Sequence, residues 1–144
     1  FTGEDLTAVP AINPDVTFIH AQRADKNGNV QLWGLLGVQR EAVLAAKASI
    51  VTVEEIVDEL SPIAGSIVLP SWVVSAVCCV PNGAHPSYAS GYSERDNAFY
   101  KAWDDIAKDR ELFLEWISQH IIGTADFAQY CDSVGLGRLV VAGE

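Results

Sequence analysis

Methionine is absent from all 144 residues, and the chain opens on Phe1. Natural polypeptides start with Met, so the expectation is an interior piece of a longer polypeptide. Basic residues are scarce, nine Lys and Arg against nineteen Asp and Glu, for a net charge of −10. No basic stripe exists to release phosphate counterions, which excludes nucleic acid as a partner. An anionic ligand must instead meet local positive spots, helix N-termini, loop amides or side chains lent by another subunit. A continuous apolar run of the roughly 18 residues that cross a bilayer is also missing. The best stretch, Ile63 to Val80, is interrupted by Pro70 and by serines, so no membrane span is expected. The opening FTGEDLTAVP is acidic and lacks the basic and apolar regions of a signal peptide, which makes the cytoplasm the expected compartment. Cysteine is limited to three. Cys78 and Cys79 are neighbours in a β-type run and point to opposite faces, which disfavours a shared metal. All three read as small buried apolar residues in a reducing compartment, and no spacing suggests a metal site.

What is present is a globular composition. Hydrophobic residues make up 49%, enough for a real core in one domain. Val16 to Ala21 and Val30 to Gly34 are β-type runs separated by Arg23-Ala-Asp-Lys-Asn-Gly-Asn. Asn27-Gly28 predicts a hairpin with a type I′ turn, both central residues at positive φ. Val38 to Lys47 reads as a helix, with Glu41 early and Lys47 late to complement its dipole. Ser49 to Val53, Ser66 to Leu69 and Val73 to Val80 read as strands, the last two buried on both faces. Asp96 to Gln119 is predicted helical, with Phe99, Trp103, Ile106, Phe113 and Ile117 on one face, Arg110 interrupting the stripe and a candidate break at Asp104-Asp105. That stripe is core or subunit interface. Gly123 stops the helix, and Thr124 is expected to cap another through about Asp132. Gly135 to Glu144 reads as a tail, and Gly135-Leu-Gly137 lacks a preceding strand and a third glycine, so it is no dinucleotide fingerprint. Strands alternating with helices predict an α/β fold, a mainly parallel sheet flanked by helices.

The chemistry concentrates in Pro81 to Trp103, PNGAHPSYASGYSERDNAFYKAW. A plain connector would be rich in Lys, Glu and Ser, whereas this loop carries hydroxyls, a histidine and rigid turn-formers where a ligand can use them. Gly83, His85, Ser87 and Tyr88 are the candidates for shaping a pocket. Ser87 lacks a glycine elbow and an orienting acid, so no hydrolytic triad is read there. Glu54 and Glu55 follow a strand, the place where ligands gather in open α/β sheets, and are weak candidates for a base or nucleophile beside a structural reading. Adjacent strand residues diverge, so at most one faces a given site. Arg23, Asp25 and Asn29 read as an Asx-type turn with a surface salt bridge, or else Gln22 or Arg23 faces the ligand. His20 reads as a satisfied core histidine, and His120 as a complement to a helix dipole.

Three ordered segments, Ile19–Trp33 (IHAQRADKNGNVQLW), Ile50–Val57 (IVTVEEIV) and the loop wording HPSYASGY…RDNAFYKAWD, carry a family likeness. From about Phe1 to Cys131 the chain resembles the second half of the α subunit of type I coenzyme A transferases. The loop is most similar to the glutaconate-CoA-transferase-like branch, which includes steroid-ring-opening acyl-CoA hydrolases. The resemblance implies a coenzyme A transferase architecture, incomplete here, with residues 1–144 as the C-terminal part of an α-subunit-like domain. It implies a coenzyme A thioester as substrate, no permanently bound cofactor, and as partners a β subunit, together with the remainder of the α subunit. The family's nucleophilic glutamate lies in a motif absent from this sequence, so no catalytic residue is assigned here. The pocket residues become walls for an acyl-CoA. Three activities stay open: coenzyme A transfer, ring-opening acyl-CoA hydrolysis in steroid catabolism, and a structural role without activity of its own.

Overall fold

A computed structural model describes residues 3–136. The expected tail from Gly137 onward, and Phe1, lie outside the described residues. Five strands form one sheet in the order β4-β2-β1-β3-β5. They are β1 (Val16–Asp25), β2 (Val30–Leu32), β3 (Ala48–Val57), β4 (Ile67–Leu69) and β5 (Ala76–Cys79). β1 pairs with β3, and β3 with β5, in parallel, while β2 is antiparallel to both β1 and β4. Four strands therefore share one direction and β2 alone opposes them, as the predicted mainly parallel sheet requires.

The β-branched run of β3 pairs with β1 from Val16↔Ala48 to Asp25↔Val57. Helix α1 (Gln39–Ala45) crosses between them and lays Val43 on the sheet, and Thr17 Oγ1 donates to its Ala42 carbonyl at 2.9 Å. Val30, Leu32, Val51, Val53 and Leu69 are buried with Ala21 and Ala24 in one cluster. Each larger side chain there contributes about 1.5–3 kcal/mol of apolar burial.

Several local expectations are corrected. The turn after β1 is not type I′: Gly28 has φ +84°, but Asn27 is not in the left-handed region. The Asp25 carboxylate accepts from the Asn27 and Asn29 amides, both at 2.9 Å, and this shapes a type I turn closed by a left-handed glycine. Burial pushes the Asp25 carboxyl up, but the Asn29 side-chain amide, which donates to it at 2.8 Å, and then these backbone bonds outweigh it and hold it below its ordinary value. β4 and β5 are not buried on both faces, because they are the two sheet edges; Ser71–Val73 forms a short 3-10 turn instead of strand. Cys78 and Cys79 are accordingly exposed, and only Cys131 is buried. Lys47 falls beyond α1 and pairs with Asp15 at 2.7 Å rather than with the helix end.

The long helix breaks at Asp109, not at Asp104-Asp105, into α2 (Asn97–Lys108) and α3 (Arg110–Ile117). Asp109 is extended and its carboxylate accepts from Glu111 and Leu112, a cap for the second segment. The break folds the aromatic face on itself, with Trp103 edge-on to Trp116 at 4.9 Å and stacked on Phe99 at 5.7 Å. A π turn, Ser118–Ile122, leads to α4 (Phe127–Ser133). Asp126, not Thr124, caps α4; the Thr124 hydroxyl donates back to the His120 and Ile121 carbonyls.

Candidate functional site

Successive strand residues alternate faces, so His20 and Gln22 of β1 share the side opposite Thr17 and α1. The loop after β5 covers that side and leaves a cavity of about 370 Å³. Gln22, Gly83, Ser87 and Tyr88 line it, together with His20, Trp33, Leu35 and Gln39. Among the described residues no Lys or Arg lines this cavity. Apart from His20, whose two nitrogens are engaged by Thr52 and Glu54, its polar groups are amides and hydroxyls beside apolar walls, a surface suited to an uncharged polar ligand segment rather than to phosphate groups.

The loop holds its shape through its own backbone. Gly83 N donates to Val80 O at 2.9 Å, His85 N to Asn82 O at 3.0 Å, and Ser87 N to Ala84 O at 2.8 Å. Asn82 sits at φ +61°, the one non-glycine residue at positive φ among the described residues. Gly83 has a different reason to lack a side chain. A Cβ there would stand 2.8 Å from Val80 O and 2.9 Å from two atoms of the His20 ring.

His20 is gripped at both nitrogens, Nδ1 at 2.8 Å from Thr52 Oγ1 and Nε2 at 2.9 Å from Glu54 Oε1. The other Glu54 oxygen accepts from Asn82 N at 2.7 Å. Glu54 is buried. Gln22 clamps the backbone beyond β2, donating to Trp33 O at 3.0 Å and accepting from Trp33 N at 3.2 Å.

Arg23 and Glu55 do not line the cavity. Arg23 Nε donates to Glu55 Oε2 at 3.1 Å and to Tyr92 Oη at 2.6 Å, and Tyr92 in turn donates to Glu55 at 2.7 Å. The guanidinium also lies over the Trp33 and Tyr92 rings. Burial first, and then its bond to Glu55, push the Tyr92 phenol up to about 12. The salt bridge expected at the hairpin is thus made with Glu55, while Asp25 serves the turn.

His85 turns its ring away from the cavity and under the loop. It is buried between Phe99, at 5.1 Å, and Tyr130, whose hydroxyl is 3.2 Å from Nδ1. Nε2 is 3.4 Å from Asp96, the cap of α2, whose carboxyl is held below its ordinary value first by the Phe99 amide. Among the described residues no hydrogen bond joins Ser87 to His85. Thr52 and Asn82 carry no functional signal of their own in the sequence and His20 reads there as a core residue; the signal available is the shared parity of His20 with Gln22 and of Thr52 with Glu54. His120 lies in the π turn against Trp116, with Nδ1 2.9 Å from Ser133 Oγ.

Comparison with known proteins gives a consistent set of relatives. The family model described as coenzyme A transferase matches residues 1–79. The chain is 62% identical over 138 residues to the A component of the 3-oxoadipate CoA-transferase of Pseudomonas knackmussii, covering 96% of this chain and 49% of that protein. The corresponding A component of the glutaconate CoA-transferase of Acidaminococcus fermentans is 36% identical over 140 residues, covering 96% and 44%. The crystal structure of glutaconate coenzyme A-transferase from that organism superposes with a TM-score of 0.82 at 35% identity, over 93% of this chain and 43% of that one. The cholesterol ring-cleaving hydrolase IpdA subunit of Rhodococcus jostii is 28% identical over 129 residues, covering 85% and 43%. The chain spans about half the length of the curated relatives it matches.

Proposed function

The chain belongs to the coenzyme A transferase family, and on that premise we propose that it is the C-terminal part of the α subunit of a heteromeric CoA-transferase. The enzyme moves coenzyme A between an acyl-CoA and a carboxylic acid, and the attacking glutamate comes from the β subunit. In that scheme the glutamate carboxylate attacks the thioester carbonyl, the coenzyme A thiolate leaves, and an acyl-glutamyl anhydride forms. The thiolate then attacks the glutamyl carbonyl, the donor acid departs, and the enzyme-bound thioester passes coenzyme A to the acceptor acid. Two moderate barriers replace one high one.

One observation carries this reading: a cavity lined mostly by amides, hydroxyls and apolar groups, in which, among the described residues, no hydrogen bond ties the Ser87 hydroxyl to a base and the loop histidine is engaged elsewhere. Such a cavity holds an acyl segment and leaves the nucleophile to another chain. Gln22, Gly83, Ser87 and Tyr88 contact the acyl-CoA, while His85 and Arg23 support the wall from outside. Val16 and Phe18, exposed on the face that carries the cavity, suit contact with the remainder of the subunit. Among the described residues no helix is long and apolar enough to cross a membrane. A cytoplasmic enzyme without a permanently bound cofactor is the accompanying expectation, and the piece alone is expected to be inactive.

The second reading, ring-opening acyl-CoA hydrolysis, is favoured by the 28% identity to the IpdA subunit. Incubating the complete heteromer with an acyl-CoA, with and without an acceptor acid, separates the two. Acceptor-dependent exchange with a trappable glutamyl thioester supports transfer. Acceptor-independent ring opening or hydrolysis supports the other, and a covalent adduct on any residue of this chain would overturn the placement of the nucleophile.

A further inference from the structure

Behind the cavity wall, one carboxylate holds two unlike things. His20 and Thr52 are register partners on the parallel strands β1 and β3, and Glu54 follows on the same face of β3. The imidazole bridges Thr52 Oγ1 at 2.8 Å and Glu54 Oε1 at 2.9 Å, so its ring cannot turn without losing a bond. Glu54 Oε2 takes the Asn82 amide at 2.7 Å, at the residue whose left-handed backbone is strained for a side chain. The next residue, Gly83, rests on the ring so closely that an added methyl would stand 2.9 Å from it. Bed and loop are therefore fixed by the same carboxylate.

Packing alone does not account for the pair. A carboxylate and an imidazole taken out of water cost free energy that an apolar pair of equal volume would not. What the pair supplies is a defined height for the loop above the strands.

We propose that His20 and Glu54 are positioning residues of the acyl-CoA pocket: by spanning the imidazole and the Asn82 amide, Glu54 sets where Gly83 to Ala89 close over the thioester. This rests on the acyl-CoA reading of the cavity. Neither residue attacks the substrate or takes its proton; Glu54 acts from behind the cavity through the loop, and His20, part of the wall, acts by carrying Gly83. Displacing a pocket wall by about 1 Å costs on the order of a hundredfold in rate when attack geometry is at stake.

The test uses the complete heteromer and an acyl-CoA with its acceptor acid. Glu54→Gln keeps the volume but leaves only one acceptor oxygen; if that oxygen keeps the Asn82 amide, the new amide N–H2 faces Nε2 and forces the imidazole into the tautomer that accepts there, which reverses both of its bonds. Turnover is expected to fall about 10- to 100-fold while KM for the thioester stays within about threefold. Hydrogen exchange should rise in the loop around residues 81–89 and not across β1 and β3. Thr52→Val leaves both Glu54 bonds in place, removing the Nδ1 partner and the long 3.4 Å bond of that hydroxyl to Ile19 O, and should give a smaller fall, about 2- to 10-fold, with the same signature. It keeps the proposal testable if Glu54→Gln fails to assemble. Wild-type turnover in either variant overturns the proposal, as does a loss accompanied by faster exchange throughout the sheet. If wild-type enzyme hydrolyses the thioester without an acceptor, the transfer reading alone fails and the variants are scored on that rate. A wild-type complex that turns over no acyl-CoA overturns both.

Discussion

At the scale of single residues, Gly83 and Tyr92 show how different constraints act on one loop. Gly83 is required by space: the atoms its Cβ would meet include a backbone carbonyl at 2.8 Å, which cannot swing aside as a flexible side chain would. Gly83→Ala is expected to cost about 1–3 kcal/mol in unfolding free energy and to raise KM for the acyl-CoA in the heteromer. Denaturant titration and steady-state kinetics check the two parts. Tyr92 is constrained by charge. Its phenol, pushed up to about 12 by burial and by the bond to Glu55, stays neutral in the fold at pH values where the unfolded chain has ionised. The folded value lies above the unfolded one, so the contribution is complete below pH 10 and is lost as pH rises toward 12. Wild type should lose stability across that window more steeply than Tyr92→Phe, which thermal melts at stepped pH would reveal. An equal decline in both would rule this out.

At the scale of elements, the helical arm depends on where it bends. Asp109 leaves α2 in extended backbone and starts α3 through bonds of 2.8 and 3.1 Å from its carboxylate to two amides. Asp109→Ala should destabilise the arm by about 1 kcal/mol, seen as a lower melting temperature, whereas Asp104→Ala should change little. The amphipathic stripe was readable from Phe99, Trp103 and Phe113, but several aspartates compete as caps along it. The break falls at Asp109, and the two segments it separates meet through Trp103 and Trp116. The hairpin shows the same limit. Asn27-Gly28 located the turn, while the carboxylate of Asp25 decided its type by occupying the amides that a type I′ geometry would leave free.

At the scale of the whole molecule, the cavity and the net charge of −10 belong together. A chain this acidic, with no cation among the described residues that line its cavity, suits the acyl end of a thioester and leaves the phosphates to be held elsewhere. If the proposed transfer is correct, varying acyl-CoA at several fixed concentrations of acceptor acid should give parallel double-reciprocal lines, since the donor acid leaves before the acceptor enters. Intersecting lines would contradict the covalent route.

Periodicity, turn residues and the three motif segments determined the α/β class, the shared direction of most strands, and the loop where the cavity lies, because these depend on local backbone preference and strand alternation. Pairing across the sheet was not local. The parallel register that sets His20 beside Thr52, and the return of the loop that brings Asn82 to Glu54, join residues about 30 positions apart. The same holds for His85, which reads as a pocket residue from its neighbours and is drawn under the loop by Phe99 and Tyr130 of later helices. Edge or centre was likewise undecided for β5, so Cys78 and Cys79 read as buried until the strand order placed them outermost. Local sequence fixes which face a side chain takes along its own strand; what waits across from it is settled only when distant segments pack.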